Sequence, residues 1–281
     1  MTSHHDQIRD QQRENWDSLS GGWKKWDDMV LGWLAPLGDA MIRKAGLRED
    51  CCVLDVAAGT GEPGLTAAAL VPQGRVIVTD LSDRMLAVAA ENATRRGIQN
   101  LETRQCDAGA LPFDDASFDV VLCRLGFMFF PDVGTAACEF ARVARPGARI
   151  CAAVWGAPDK NPWATTTTRT IARFADMPTP SPGGPSMFRC ASQGFMREAF
   201  VAAGLRDIAE EEVTMDMVHA APEQYWEFMT NIASSVVAGL AKADSATREQ
   251  IRNCVIEDVG KASRDGQVRL RSTAIVIVGT R

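Results

Sequence analysis

A glycine-rich turn that directly follows a buried strand is the feature that most constrains the fold of this chain. Residues 51–58, CCVLDVAA, form a continuous apolar run typical of a strand that is buried on both faces. The segment 53–64, VLDVAAGTGEPG, has glycines at positions 59, 61 and 64, and a helical pattern begins at Leu65. A strand, a glycine turn and a helix in this order form the first unit of a doubly wound α/β sheet, in which ligands bind at such turns.

Strand and helix patterns continue to alternate after this turn. Strand patterns are found at residues 75–81, 101–108, 118–125 and 148–156, and helical patterns between them at 82–96 and 133–143. This alternation predicts a parallel sheet covered by helices, with right-handed crossovers that bring the carboxyl ends of the strands to one edge. We therefore expect an α/β fold with a doubly wound, mostly parallel sheet and a ligand site at that edge.

The regions on either side of this core are predicted to be largely helical. We expect residues 1–50 to form an N-terminal helical cover over a ligand-binding core at 51–156. Residues 157–281 are expected to complete the sheet with strands near 206–218 and 268–280. Two stretches in this last region, about 157–190 and 220–262, are long for connections within a compact sheet and are interpreted as inserted lid segments. The first includes an exposed loop at 177–188 that is rich in Pro, Gly and Ser.

Charge and hydropathy exclude several classes of partner. The formal net charge of the chain is -6, so nucleic acid is not expected to bind. No apolar run approaches the roughly 20 residues that span a bilayer, and the polar N-terminus does not have the pattern of a signal peptide. The eight cysteines form no C-x-x-C pair, which is typical of reduced thiols, and nothing in the sequence requires a metal. We expect a cytoplasmic protein that is a monomer or a homodimer.

The glycine turn by itself leaves two classes of ligand open. Gly59, Gly61 and Gly64 match G-x-G-x-x-G, which also occurs in enzymes that bind dinucleotides. Asp55, however, lies in the strand four residues before Gly59. Its carboxylate would repel a pyrophosphate but would favour a ligand that carries an ammonium group.

Acidic residues also end the next two strands. A carboxylate at Asp80 can accept hydrogen bonds from both hydroxyls of a ribose, a feature shared with NAD enzymes. Leu81 and Met85 follow and are candidates to flank an adenine ring. The segment Cys106-Asp107-Ala108 ends the third strand, where a carboxylate can accept from an adenine amino group. The pattern predicts a ligand with an adenosine moiety.

These residues together resemble the class I S-adenosylmethionine-dependent methyltransferases. Asp55, the glycine turn, Asp80, Cys106-Asp107-Ala108 and LPFDDASFDVV at 111–121 have the order and spacing of that family, and the resemblance is strongest over 51–156. The segments AGTGEPG and CRLGFMFFPD are similar to the group named after the ubiquinone and menaquinone biosynthesis C-methyltransferases, which also contains many methyltransferases of bacterial secondary metabolism.

The resemblance implies a seven-stranded, Rossmann-like methyltransferase sheet with N-terminal helices and an inserted helical lid. It also implies S-adenosyl-L-methionine as the cofactor. The cofactor contacts that it implies are Asp55, Ala57, Gly59, Gly61, Asp80, Leu81, Met85, Cys106, Asp107, Ala108 and Arg124.

The methyl acceptor is less constrained than the cofactor. Methyl transfer is an in-line displacement that needs a base only when the nucleophile arrives protonated. Residues 123–126, CRLG, lack the Asn- or Asp-Pro-Pro-Tyr pattern of enzymes that methylate adenine or amide nitrogen. His219, near the expected end of the sixth strand, is a candidate catalytic base, although a surface or structural role fits it as well. Arg124 is a second candidate, which could bind an acidic acceptor or hold the cofactor pocket together.

We therefore expect an enzyme that methylates oxygen, carbon or nitrogen of a small, partly apolar metabolite, such as a quinone precursor or a secondary metabolite. Two alternatives stay open at this point. One is an NAD(P)-dependent oxidoreductase, because of the literal glycine motif, and the other is a non-catalytic regulatory protein that binds S-adenosylmethionine.

Overall fold

A mixed sheet flanked by helices forms the centre of the protein. The structure is a computed structural model that describes residues 4–177 and 183–281. Within these ranges the sheet has eight strands in the order β3-β2-β1-β4-β5-β8-β6, with β7 paired to β8. Strands β1 to β5 pair in parallel, and β8 runs antiparallel to β5 and β6. The strands are β1 Cys52–Val56, β2 Arg75–Asp80, β3 Leu101–Gln105, β4 Phe118–Arg124, β5 Ala144–Trp155, β6 Arg206–His219, β7 Ser263–Arg264 and β8 Gln267–Thr280.

Ten helices within the described ranges connect these strands or flank the sheet. The helices are α1 His4–Lys25, α2 Asp27–Ala45, α3 Gly64–Leu70, α4 Asp83–Arg95, α5 Val133–Val143, α6 Pro162–Ile171, α7 Phe195–Ala202, α8 Pro222–Ile232, α9 Ser234–Ala241 and α10 Ser245–Gly260. Short 3-10 turns occur at Phe127–Phe129 and Pro158–Lys160. None of the helices in the described ranges is both long enough and apolar enough to cross a membrane.

The predicted α/β architecture is confirmed, with one extra strand. Seven strands were expected, and the eighth is the two-residue β7, which forms a hairpin with β8 through Asp265 and Gly266. Both turn residues have positive φ angles, 51° and 77°. An Asp-Gly pair is the preferred sequence for such a two-residue hairpin turn, so this signal was present in the sequence.

The core lies between the buried strands and the apolar helix faces that pack against them. Every residue of β1 is buried, as the continuous apolar run predicts. On α2, the side chains of Val30, Leu34, Leu37 and Met41 recur at helical spacing and are at most 2% exposed. This face packs against β4, β5, β6 and β8. Burial of each such side chain stabilises the fold by about 1.5–3 kcal/mol before the entropy of ordering is subtracted.

The helices outside the core surround the carboxyl edge of the sheet. Helix α1 packs against α4 and α8, and α6 packs against α9, α10 and β8. Helices α6 and α8 to α10 occupy much of the segments interpreted as a lid. Residues 178–182, which belong to the predicted lid and to its exposed loop, lie outside the described residues.

Candidate functional site

A cavity of about 560 Å³ lies at the carboxyl edge of the parallel strands. This volume is within the range of pockets that enclose small organic ligands. Its walls come from the ends of β1, β2, β4 and β5, from the loop after β3, and from helices α1, α2, α6, α8 and α9. Nine of the residues expected to contact the cofactor line it: Ala57, Gly59, Asp80, Leu81, Met85, Cys106, Asp107, Ala108 and Arg124.

The glycine turn has the backbone geometry that the motif predicts. Gly59 has a φ of 57°, and a Cβ added there would meet no atom within 4 Å, so the backbone is open to a ligand. Gly61 does not line the cavity. Its φ is 111°, and an added Cβ would lie 2.7 Å from Cδ1 of Leu65, so this glycine allows close packing of α3 under the turn.

Asp55 lies beneath the turn and is fully buried. Its Oδ2 accepts a hydrogen bond of 2.7 Å from the backbone N–H of Gly64, the first residue of α3. Its Oδ1 is buried without a hydrogen-bond partner. Burial raises the pKa of this carboxyl to about 7, against the opposing effects of the Gly64 hydrogen bond and the charge of Arg124. Asp55 therefore does not line the cavity, and it supports the turn from behind.

Asp80 ends β2, and its carboxylate lies at the cavity wall. Oδ2 accepts from the N–H of Gly59 at 2.9 Å, and Oδ1 accepts from the N–H of Ser82 at 2.9 Å. Burial raises the pKa of this carboxyl, and these hydrogen bonds oppose the rise. Each oxygen still has a lone pair that can accept from a ligand hydroxyl.

The loop after β3 places Asp107 at the cavity next to helix α1. Oδ1 of Asp107 accepts from the N–H of Gly109 at 2.9 Å, and Oδ2 accepts from Nη1 of Arg9 at 3.1 Å. The neighbouring Cys106 lines the cavity with a thiol whose pKa is raised to about 11, mainly by burial. The sequence indicated Asp107 but did not indicate its ion pair with Arg9, because nothing in the pattern places α1 against this loop.

Arg124 ends β4 and lines the cavity without a hydrogen bond or ion pair to any of the described residues. Burial lowers the pKa of its guanidinium, and the negative charges of Glu62, Asp55 and Asp27 raise it. An unpaired cation at a cavity wall is a favourable partner for a ligand carboxylate.

Glu62 also lines the cavity, and sequence reasoning did not identify it. Its carboxylate pairs with Arg96 and accepts from the backbone N–H and the hydroxyl of Thr66. The available signal was its position between Gly61 and Gly64, since a charged residue inside a ligand-binding turn faces either the ligand or a nearby ion pair.

The structure does not bring His219 to the cavity wall. The residue is 1% exposed and packs edge-on against the rings of Trp26 and Tyr225 and obliquely against that of Phe228. Neither ring nitrogen has a hydrogen bond of good geometry. Burial lowers the pKa of His219 to about 4, and an interaction with Gln224 offsets this only in part. Of the two candidate catalytic residues, only Arg124 therefore faces the cavity.

Three tryptophans, from α2, the end of β5 and α6, line another part of the cavity wall. Trp33 and Trp155 stack with ring centroids 5.5 Å apart, and Trp163 lies 4.7 Å and 4.9 Å from them. Nε1 of Trp33 donates to Oγ of Ser272 at 2.7 Å, and Nε1 of Trp163 donates to Oδ1 of Asn161 at 3.0 Å. Because these N–H groups are satisfied within the protein, the rings present apolar surface to the cavity.

Comparison with known proteins identifies relatives of the central region. A family model described as a methyltransferase domain matches residues 53–147. An uncharacterized protein of Mycobacterium tuberculosis is 41% identical over 122 residues, which are 43% of this chain and 43% of that protein. The ubiquinone/menaquinone biosynthesis C-methyltransferase UbiE of a Marinomonas species is 35% identical over 120 residues, which are 42% of this chain and 48% of that protein. The chain thus spans less than half the length of these curated relatives.

The fold has relatives over nearly its whole length. The crystal structure of the YcgJ protein from Bacillus subtilis superposes with a TM-score of 0.56 at 24% sequence identity. The superposition covers 87% of this chain and 97% of that one. The matched family model covers the glycine turn and the ends of the first parallel strands, so this central region is similar to the class I S-adenosylmethionine-dependent methyltransferases.

Proposed function

We propose that this protein transfers the methyl group of S-adenosylmethionine to oxygen, carbon or nitrogen of a small, partly apolar metabolite. The observation that carries this proposal is the form of the cavity. A single space joins the strand ends that hold the expected cofactor residues to a region walled by Trp33, Trp155 and Trp163. A cofactor and an acceptor can therefore meet in one continuous cavity, as an in-line transfer requires.

The adenosine part of the cofactor is proposed to bind along the ends of β2 and β3. Asp80 would accept from the ribose hydroxyls through the lone pairs that Gly59 and Ser82 leave free. Leu81, Met85 and Ala108 would flank the adenine ring, with Cys106 beside it. Asp107 would accept from the adenine amino group while it keeps its pair with Arg9.

The amino-acid end of the cofactor is proposed to bind between the glycine turn and Arg124. The unpaired guanidinium of Arg124 would bind the carboxylate, and the open backbone at Ala57 and Gly59 allows close approach. The ammonium would be favoured by the negative potential of Glu62 and Asp55. Asp55 would act through this field or through a water molecule, since it does not reach the cavity wall itself.

The acceptor is proposed to occupy the tryptophan-walled region. Its apolar surface suits a quinone precursor or a secondary metabolite, and one curated relative is named for C-methylation in quinone biosynthesis. Residues 1–50 and 157–281 are proposed to act as cover and lid around this space.

Parallel calorimetric titrations with S-adenosylmethionine, S-adenosylhomocysteine and NAD test the cofactor. Saturable binding of the first two without NAD supports the proposal, whereas binding of NAD alone overturns it in favour of an oxidoreductase. Tight cofactor binding without methyl transfer to any acceptor would instead indicate a regulatory protein.

The ribose site gives a sharper test at one residue. Asp80→Ala removes the acceptor for two hydroxyls, and hydrogen bonds to a charged group contribute about 1.5–3 kcal/mol each. We expect the dissociation constant for S-adenosylhomocysteine to rise by about 100-fold or more. Asp83→Ala is the matched control, because Asp83 is an exposed carboxylate on the first turn of α4 that does not line the cavity. Equal affinities for the two variants would contradict the assignment.

A further inference from the structure

One side of the last turns of helix α4 carries polar side chains where an apolar contact would be expected. Asn92, Arg95 and Arg96 are spaced i, i+3 and i+4, so they lie on the same side of the helix. Asn92 is only 4% exposed. Asparagine is a poor helix former, and a buried amide costs free energy unless it is hydrogen-bonded. A buried asparagine at this position therefore indicates that its amide has partners that an apolar side chain could not serve.

The amide of Asn92 donates to two different elements. Nδ2 donates to the backbone oxygen of Thr60 at 2.9 Å and to Oδ2 of Asp27 at 3.0 Å. Thr60 is the residue between Gly59 and Gly61 in the glycine turn, and it lines the cavity. Asp27 is the first residue of α2 and is also buried. Asn92 thus joins the glycine turn to the start of the second cover helix.

The bond to Thr60 holds one end of a peptide group in the turn. A peptide group is planar, so two bonds at opposite ends fix its orientation. For the peptide between Thr60 and Gly61, the N–H of Gly61 donates to the oxygen of Ala58 at 2.9 Å, and the oxygen of Thr60 accepts from Asn92. Glycine has wide backbone freedom, so Gly59 and Gly61 do not fix this plane by themselves. Rotation of the peptide would displace the backbone that faces the ligand.

The same side of α4 contacts the turn and α2 at two further points. Arg96 pairs with Glu62 in the turn, and Nη2 of Arg95 lies 3.3 Å from Oδ2 of Asp27. The side chain of Arg95 is exposed, and an ion pair of this kind is weakened by water. The buried amide of Asn92 is therefore the stronger link between α4 and α2.

We propose that Asn92 is a positioning residue for the cofactor. Its amide fixes the carbonyl of Thr60, and with it the backbone of the glycine turn, in the orientation that binds the amino-acid end of S-adenosylmethionine. The inference rests on the proposed function, and it adds to that site a residue that does not itself line the cavity. The second bond of the amide, to Asp27, gives the turn and the start of α2 a common anchor.

Asn92→Leu tests the proposal, because it removes both N–H donors at similar side-chain volume. We expect the dissociation constant for S-adenosylhomocysteine, measured by calorimetry, to rise about tenfold. Asn100→Leu is the matched control. Nδ2 of Asn100 also donates to two backbone oxygens, those of Ala68 and Val71, at 3.0 Å and 2.8 Å. These three residues lie at the far end of α3 and do not line the cavity, so we expect lower stability to urea with unchanged affinity.

A double variant separates positioning of the turn from attachment of α2. Asn92→Asp combined with Asp27→Asn exchanges the two side chains and leaves the net charge unchanged. The amide at position 27 can then donate to the carboxylate at position 92, whereas the oxygen of Thr60 faces an acceptor. We expect the first turn of α2 to be protected from hydrogen exchange as in the wild type, with affinity that stays about tenfold weaker or more.

Two results would overturn the proposal. The first is an affinity of Asn92→Leu equal to that of the wild type or of Asn100→Leu, which would leave Asn92 only a general stabilising role. The second is full recovery of affinity in the double variant, which would assign the effect to the attachment of α2. If Asn92→Leu does not fold, the double variant decides by the same criterion. Absent binding of S-adenosylhomocysteine to the wild type would instead contradict the proposed function itself.

Discussion

At Asp55, a buried carboxyl group beneath the glycine turn is expected to affect protein stability and cofactor affinity in opposite ways. The group caps the start of α3 by accepting from Gly64, and it leaves Oδ1 without a partner. The ionised form is costly in the absence of ligand, as its raised pKa shows. The same negative charge is proposed to favour the ammonium of the cofactor. Stability and affinity should therefore respond in opposite directions when this charge is removed.

Asp55→Asn tests this opposition at one atom. Burial raises the pKa of Asp55 from its ordinary value of 3.8 to about 7, so the ionised form opposes folding, and stability is lost as pH rises from 3.8 through 7. We expect the free energy of unfolding of the unliganded variant to exceed that of the wild type by up to about 4 kcal/mol at pH 8, with no difference at pH 4. Urea unfolding at several pH values measures the difference. Calorimetry should show about tenfold weaker cofactor binding in the variant.

Two outcomes would count against this account of Asp55. An equal difference in unfolding free energy between variant and wild type at every pH would show that burial does not disfavour the ionised form of Asp55. Unchanged affinity for S-adenosylmethionine would show that its charge does not reach the ligand.

At the scale of elements, helix α1 contributes five side chains to the cavity wall. Arg9, Gln12, Asn15, Trp16 and Trp23 line the cavity from this one helix. Side-chain contacts attach it along its length to other elements: Arg9 to Asp107, Asp17 to Ser82, Lys24 to Glu91 and Lys25 to Glu227. The pairs formed by the two lysines are half exposed, and pairs of this kind contribute about 0–1 kcal/mol each.

Arg9→Met tests the attachment at the adenine end. We expect the variant to bind S-adenosylhomocysteine about three- to tenfold more weakly, because α1 loses its pair with Asp107 while the global stability changes by less than about 1 kcal/mol. Arg13→Met is the matched control on the same helix, since among the described residues Arg13 pairs only with Asp10 and does not line the cavity. Hydrogen exchange should show faster opening of α1 in the Arg9 variant alone. Similar affinity for both variants would exclude a role for this pair.

The sequence predicts correctly those elements whose position is determined by a local residue pattern. Strands β1, β2 and β4 follow from buried apolar runs, and the end of α2 follows from Gly46, whose φ of 63° closes the helix. The hairpin of β7 and β8 also had a local signal in Asp265 and Gly266, but it was not predicted. The arrangement of α1 over the cavity had no such signal, because ion pairs such as Arg9 with Asp107 join residues 98 positions apart.

At the scale of the whole molecule, the same distinction explains which site residues could be predicted. Those on the turn and at the strand ends, such as Asp80, occupy positions that the parallel sheet determines. His219 sits at the end of β6, as expected for a strand-end residue. Its side chain nevertheless packs against Tyr225 and Phe228 of α8 and against Trp26 at the junction of α1 and α2. Strand register alone does not reveal whether a side chain at such a position meets a cavity or a helix.

The burial of His219 makes the stability of the whole fold depend on pH. Burial lowers the pKa of His219 from its ordinary value of 6.5 to about 4, so between these pH values the unfolded chain binds a proton that the folded protein does not. Stability from this residue is therefore complete above pH 6.5 and is lost as pH falls towards 4. His219→Phe, which suits the surrounding rings and removes two unsatisfied nitrogens, should unfold at similar or higher denaturant concentration at pH 7. At pH 4.5 it should be more stable than the wild type by up to about 3 kcal/mol.

Asp55 titrates in an overlapping pH range with the opposite effect on stability. Because Asp55 is present in both the wild type and His219→Phe, the difference between their unfolding profiles reports on His219 alone. Replacement of the exposed His4 by Phe is the matched control, and we expect its profile to parallel that of the wild type. A constant offset between His219→Phe and the wild type from pH 7 to 4.5 would mean that His219 can be protonated in the fold. It would then be open to solvent or to a ligand, and its candidacy as a catalytic base would have to be restored.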